Sequence, residues 1–125
     1  MSNEKMPKKY DLEERTARYG ENIIDFARKI PKNEITQRLI PQLVGAGTAV
    51  GSNYCEADCA ESNKDFIHKM SIANKEAKES KHFLRMMAKA CPELAKEARI
   101  LWQEGRELNL IFTTIINNAK KKLEK

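Results

Sequence analysis

Apolar positions recur three and four residues apart along this chain, in four successive segments. In the first, Leu12, Thr16, Tyr19, Ile23, Phe26 and Ile30 step 4, 3, 4, 3, 4. One face of an α-helix produces that rhythm. Asp11, Glu13 and Glu14 stand at the end where the helix dipole favours acids, and Pro31 stops the segment. The second carries Ile35, Leu39, Leu43, Ala46, Val50, Asn53 and Ala57 at the same spacing. Asn33 is placed to cap it, and Pro41 to kink it one turn after it starts. The third carries Phe66, Met70, Ala73, Ala77, Ser80, Leu84 and Met87. Cys91-Pro92 breaks it, and the proline suits the first turn of a fourth helix. There Leu94, Ala98, Leu101, Gly105, Leu108, Phe112, Ile115 and Ala119 continue the spacing almost to the end. The predicted helices cover about 11–30, 33–60, 64–90 and 92–121, between flexible basic tails at 1–9 and 120–125. Short connections and sustained seven-residue repeats predict an all-α fold, a single-domain antiparallel up-down-up-down four-helix bundle.

The second helix is the unusual one. Residues 42–57 read QLVGAGTAVGSNYCEA and hold Gly45, Gly47 and Gly51. Each interior glycine costs a helix about 1 kcal/mol against alanine, which close approach of another helix can offset. The segment is therefore expected to be the thin central helix against which the others pack. A phosphate-cradling loop is the rival, but no Lys-Ser or Lys-Thr follows these glycines, as that chemistry requires.

Composition narrows the class without naming a task. At 125 residues, 41% hydrophobic and 33% charged, the chain fits one globular domain. No apolar run approaches 18 residues, and charge dominates the first fourteen, so neither a membrane span nor a signal peptide is expected. Three cysteines without framework spacing suit a reducing cytoplasm. The net charge of +5 permits an acidic or nucleic-acid partner.

A set of residues in this pattern resembles a known family. They are Asp11-Leu12 with Arg15, then Gln42, Gly51-Ser52-Asn53-Tyr54, Glu56-Ala57, Asp65-Phe66, Lys69, Ile72-Ala73, Lys75-Glu76-Ala77, Glu79 and Leu84. The chain is similar, over roughly 10–116, to the bacterial four-helix-bundle proteins named for open reading frames in intervening sequences of 23S ribosomal RNA genes. Two departures stand out: Ser52 replaces a common Ala, and His82-Phe83-Leu84 replaces an aromatic-Trp-Leu run. The resemblance implies a barrel-like homo-oligomer, typically a pentamer. A related branch, the accessory proteins of diversity-generating retroelements, works with a reverse transcriptase and RNA. The resemblance supplies no catalytic residues and no cofactor.

The third helix carries a second stripe. Lys64, His68, Ser71, Lys75, Lys78, His82, Arg85 and Lys89 step 4, 3, 4, 3, 4, 3, 4 and include no acid. They lie about 200° from the apolar stripe and face away from the core. Residues 62–90 hold seven Lys or Arg against three acids, whereas 31–61 hold two against four. The stripe is about 37 Å long, enough to follow a phosphate backbone over about ten phosphates. An ordinary solvated lysine face is the competing reading. No stacking aromatic interrupts the stripe, so any binding is expected to be electrostatic and salt-sensitive rather than base-reading.

A second polar set comprises Asn53, Glu56, Asp65, Lys69, Glu76 and Glu79. Asn53 and Glu56 are expected to bond across to the third helix and fix register, with a small-molecule site as the alternative. Metal chemistry is disfavoured: Asp65-x-x-His68 and Glu79-x-x-His82 share one helix, whereas a di-iron site needs two. Cys55 and Cys59 lack a second pair to complete a zinc site and are expected as small core or interface fillers. No nucleophile–base pair stands out, so no enzyme activity and no cofactor are expected. The bundle would also gather Lys5, Lys8 and Lys9 near Lys120, Lys121, Lys122 and Lys125, a weak basic pole offset by nearby glutamates. The leading expectation is a homo-oligomeric RNA- or nucleoprotein-binding scaffold; a protein-interaction scaffold with no nucleic-acid role is the alternative.

Overall fold

The computed structural model describes residues 11–124. Four helices account for nearly all of them: α1 (Leu12–Arg28), α2 (Thr36–Asp58), α3 (Asn63–Ala90) and α4 (Ala95–Glu124). A 3-10 turn at Pro92–Leu94 leads into α4. The tail expected at 1–9 lies outside the described residues. The one expected from residue 120 does not form, because α4 continues to Glu124.

The local signals act as capping physics requires. Asp11 accepts from the backbone N–H of Glu14 at the start of α1. Ser62 does the same for Asp65 at the start of α3. Asn33 Oδ1 accepts from the N–H groups of both Ile35 and Thr36, and Thr36 Oγ1 accepts in return from Asn33 N–H. That reciprocal cap holds the entry to α2 and leaves Ile35 in the turn, 64% exposed, rather than on the buried stripe. Helix α2 then continues through Pro41 to Asp58.

The apolar stripes meet in one core. Tyr19, Ile23, Phe26, Leu43, Val50, Met70, Leu84, Met87, Leu108 and Phe112 are essentially inaccessible to water. On α4 the stripe passes to Ile116, with Ile115 only partly covered. Helices pack in chain order, α1 on α2, α2 on α3 and α3 on α4, and α1 and α4 close the ring over a much thinner seam. The glycine-rich helix is therefore not the common centre: α4 leans on α3, not on α2.

The glycines of α2 divide by position. A Cβ on Gly47 would sit 2.4 Å from Ile23 Cδ1, and one on Gly51 would meet the Thr16 backbone at 3.4 Å. Gly20 on α1 completes the contact, with its Cβ position 3.4 Å from Thr48 Cα. Close approach of α1 and α2 thus requires a glycine at Gly47, while Gly51 and Gly20 sit where a methyl would make ordinary van der Waals contact. It does not account for Gly45, which is exposed with nothing within 4 Å of its Cβ position.

Two polar features tie the ring together. Arg15 forks onto Glu104 (2.7 and 2.9 Å) and reaches Glu107 (2.8 Å), while Lys29 meets Glu97 at 2.7 Å. These pairs form the α1–α4 seam. Hydrogen bonding to Glu104 chiefly holds the Arg15 guanidinium above its ordinary pKa. Across the interior, Ser80 Oγ donates to Ala77 O, which leaves Tyr19 Oη to donate to Ser80 Oγ at 2.7 Å.

Burial pushes the Tyr19 phenol up to about 12. The unfolded chain ionises this group near pH 10, so it releases the proton first as pH rises. The stability conferred by the buried neutral phenol is complete below pH 10 and lost between about 10 and 12, about 2–3 kcal/mol in all. Urea midpoints should therefore fall from pH 9 to pH 12 more steeply for the wild type than for Tyr19→Phe. Equal falls would mean that another group titrates.

Candidate nucleic-acid interface

Helix α3 presents two charge faces, and its neighbours fix their orientation. Toward α2, Lys69 Nζ meets Glu56 Oε1 at 2.6 Å. Toward α4, Asn109 Nδ2 donates to Asn74 O and Oδ1 at 3.0 and 2.6 Å. Lys64, His68, Ser71, Lys75, Lys78, His82, Arg85 and Lys89 all lie exposed on the α4 side of the solvent face. Among the described residues, none of the five Lys and Arg in this stripe has a carboxylate within ion-pairing distance. Asp65, Glu76 and Glu79 occupy the α2 side instead. Burial first, and then the charge of Glu79, raises the pKa of Glu76. One helix thus separates its charges lengthwise.

The polar set expected to fix register is brought together only in part. Glu56 does cross to Lys69, but Glu56 is exposed, and water screens such a pair so that it adds little to stability. The Glu56 hydrogen bond is also the main cause that raises the Lys69 pKa. Asn53 does not cross to α3; its Nδ2 donates to Ala49 O, one turn back on α2. A side chain on a helix flank can satisfy itself on its own backbone. Glu76 and Glu79 face each other rather than a cation of α2.

Helix α4 adds what the stripe on α3 lacks. Lys81 Nζ lies 5.2 Å from the centre of the Trp102 ring, a cation–π distance. A Cβ at Gly105 would stand 2.7 Å from Tyr19 Oη and 2.9 Å from Lys81 Cγ, so the bare backbone there makes room for both side chains. Arg99 and Arg106 bracket Trp102 at helical spacing and are exposed, whereas Glu97, Glu104 and Glu107 turn to α1. Arg99, Trp102 and Arg106 lie outside the basic stripe expected from the sequence, because that stripe follows a single helix. Their three-and-four spacing beside buried Ala98, Leu101 and Gly105 is the signal that carries them.

Cys55 and Cys59 are exposed, which removes them from the core, while Cys91 is buried. Both histidines are exposed as well. Among the described residues, no three His, Cys, Asp or Glu side chains gather as a metal site, and no helix is long and apolar enough to cross a membrane.

Comparison with known proteins places this architecture. The family model described as 23S rRNA-intervening sequence protein matches residues 8–104. The chain belongs to the 23S rRNA-intervening sequence protein family. Its fold is also that of a solved protein of unknown function from the S23 ribosomal protein family of Bacteroides thetaiotaomicron. The two share 24% identity with a TM-score of 0.77, over 89% of this chain and 99% of that one. Among curated proteins, none matches at a significant level. Within this intervening-sequence family member, the matched stretch takes in the whole basic face of α3 and extends through Arg99 and Trp102 to Glu104 on α4.

Proposed function

We propose that this protein is a non-enzymatic, self-associating bundle that binds RNA, alone or within a nucleoprotein complex, through the basic face of α3 in the cytoplasm. The observation that carries the reading is the lengthwise separation of charge on α3. Five Lys and Arg lie exposed and free of carboxylates among the described residues, with the acids turned to the other side. A solvated face chosen only for solubility would intersperse both signs. Phosphates spaced along a strand are the ligand that such a row fits.

Self-association, with five copies as the resemblance implies, finds support on the opposite side. Residues 39–55 contain no charge in a chain that is 33% charged. Pro41, Gln42, Gly45, Thr48, Ser52 and Cys55 expose a strip of uncharged surface there. A reverse transcriptase complex is one setting in which such an assembly would meet RNA. Rings repeating the α3 face would gain avidity for a long strand. The uncharged strip also keeps a pure protein-interaction scaffold in play as the second reading.

The test is retention of mixed cellular RNA across a salt series, on protein whose mass in solution is measured in parallel. The expected outcome is a particle several times 14.3 kDa whose affinity falls with salt with a log–log slope of about −3 or steeper. No retention even at low salt would remove RNA as the ligand. It would leave the protein-interaction scaffold.

A further inference from the structure

We infer that the groove between α3 and α4 holds the base of an unpaired nucleotide against Trp102, with the neighbouring phosphates on Arg85 and Arg99. This rests on the phosphate-contacting reading of α3 and extends it from backbone to base. The groove encloses about 410 Å³, within the range of about 300–1,000 Å³ typical of small-molecule sites. Leu84, Ala88 and Ala98 form an apolar floor, Trp102 a wall, and Arg85 and Arg99 the rims. No acid lines it. Arg85 is at once a rim of the groove and a member of the exposed stripe, so a strand following the stripe passes the groove mouth.

Charge favours this occupant. Lys81 lies beside the groove with Lys78 and Arg106 near it; burial first, and then those two cations, lower its pKa. An anion at this corner relieves the crowding. An aromatic face flanked by guanidiniums is the arrangement on which bases stack in single-stranded nucleic-acid sites, with little sequence preference. An acidic peptide could satisfy the cations, but the row of bases extends along α3 well beyond the groove, which suits a longer polyanion.

Trp102 is the only tryptophan in the chain, so its emission reports on this groove alone. The experiment titrates the full chain with a fifteen-residue oligouridylate, and separately with inorganic polyphosphate, which has the charge and no bases. Oligouridylate should quench the emission saturably, and polyphosphate should bind without matching that quench. Trp102→Leu should weaken oligouridylate binding at least about fivefold, leave polyphosphate binding unchanged, and be largely rescued by Trp102→Phe. Should Trp102→Leu fail to fold, the wild-type emission still decides. Oligouridylate retained with unaltered emission would sink the groove while leaving the α3 stripe standing. Equal quenching by polyphosphate would likewise exclude stacking. Failure of both polyanions to bind would overturn the groove and the stripe together, and quenching only by an acidic peptide would reassign the groove to a protein.

Discussion

The combined substitution Lys75→Glu, Lys78→Glu, Arg85→Glu and Lys89→Glu is expected to abolish RNA retention at about 0.15 M salt. Each change removes two charges, so the four take the formal net charge from +5 to about −3. For a single strand, four lost phosphate contacts flatten the salt slope by about 3 and weaken binding by more than about a hundredfold. All four side chains are exposed and without ion pairs among the described residues. Surface changes of that kind alter stability by about 0.5 kcal/mol or less each. Helix content by circular dichroism and mass in solution should therefore match the wild type. Retention that survived the substitution with its slope intact would place the RNA elsewhere on the molecule.

The largest effect on folding is expected at Gly47. Gly47→Val puts its first added carbon 2.4 Å from Ile23 Cδ1, and Ile23 Cγ2 and Cβ follow at 3.1 and 3.3 Å. The end of Ile23 can swing aside, but its Cβ is fixed to the α1 backbone, so the helices must separate. Overpacking of that kind costs about 1–3 kcal/mol, and valine's modest gain in helix propensity over glycine offsets little of it. A loss of about 2 kcal/mol would lower the urea midpoint clearly. Gly45→Ala is the control on the same helix. Its Cβ meets nothing, so it should gain about 1 kcal/mol from propensity alone. Trimming the partner with Ile23→Val should make Gly47→Ala less costly than in the wild-type background. Costs that simply add would show that the two side chains do not compete for the same space.

Those two glycines also show how far the sequence could be read. Periodicity named the buried stripes of α1 and α3 almost residue by residue, because burial on one helix face is a one-dimensional pattern. It could not say which glycine of α2 meets a neighbour, since that depends on how α1 is rotated against it, and the same holds for Gly20 on α1. Asn53 misled for a related reason: a polar residue on the stripe can bond across the bundle or back to its own helix, and only the geometry chooses. Lys64 to Lys89 were legible as a basic row because they share one helix. Trp102 and Arg99 join that face only when α3 and α4 are set side by side, so the expectation of a row without aromatics was right for α3 alone. The α4 helix runs past residue 120 because Lys120, Lys121 and Lys122 stand at its C-terminal end, where cations complement the dipole. A basic run there reads as a tail in sequence and as a helix end in space.

Synthesis runs from α1 to α4, so the thin α1–α4 seam is the last contact this chain can make. The ribosome adds about 5–20 residues per second, and the 30 residues of α4 therefore arrive over roughly 2–6 s. By then α1 and α2 are already free to pair through their glycine contact. The flank that Leu108 and Phe112 will later cover stays wet. Arg15 then has to find Glu104 and Glu107, 89 and 92 residues downstream. Attraction between these charges acts over about 8–10 Å of salt water, farther than apolar side chains can sense one another. The arginine fork on the first helix thus serves as a latch that aligns the newborn fourth helix before its apolar side chains lock into the core.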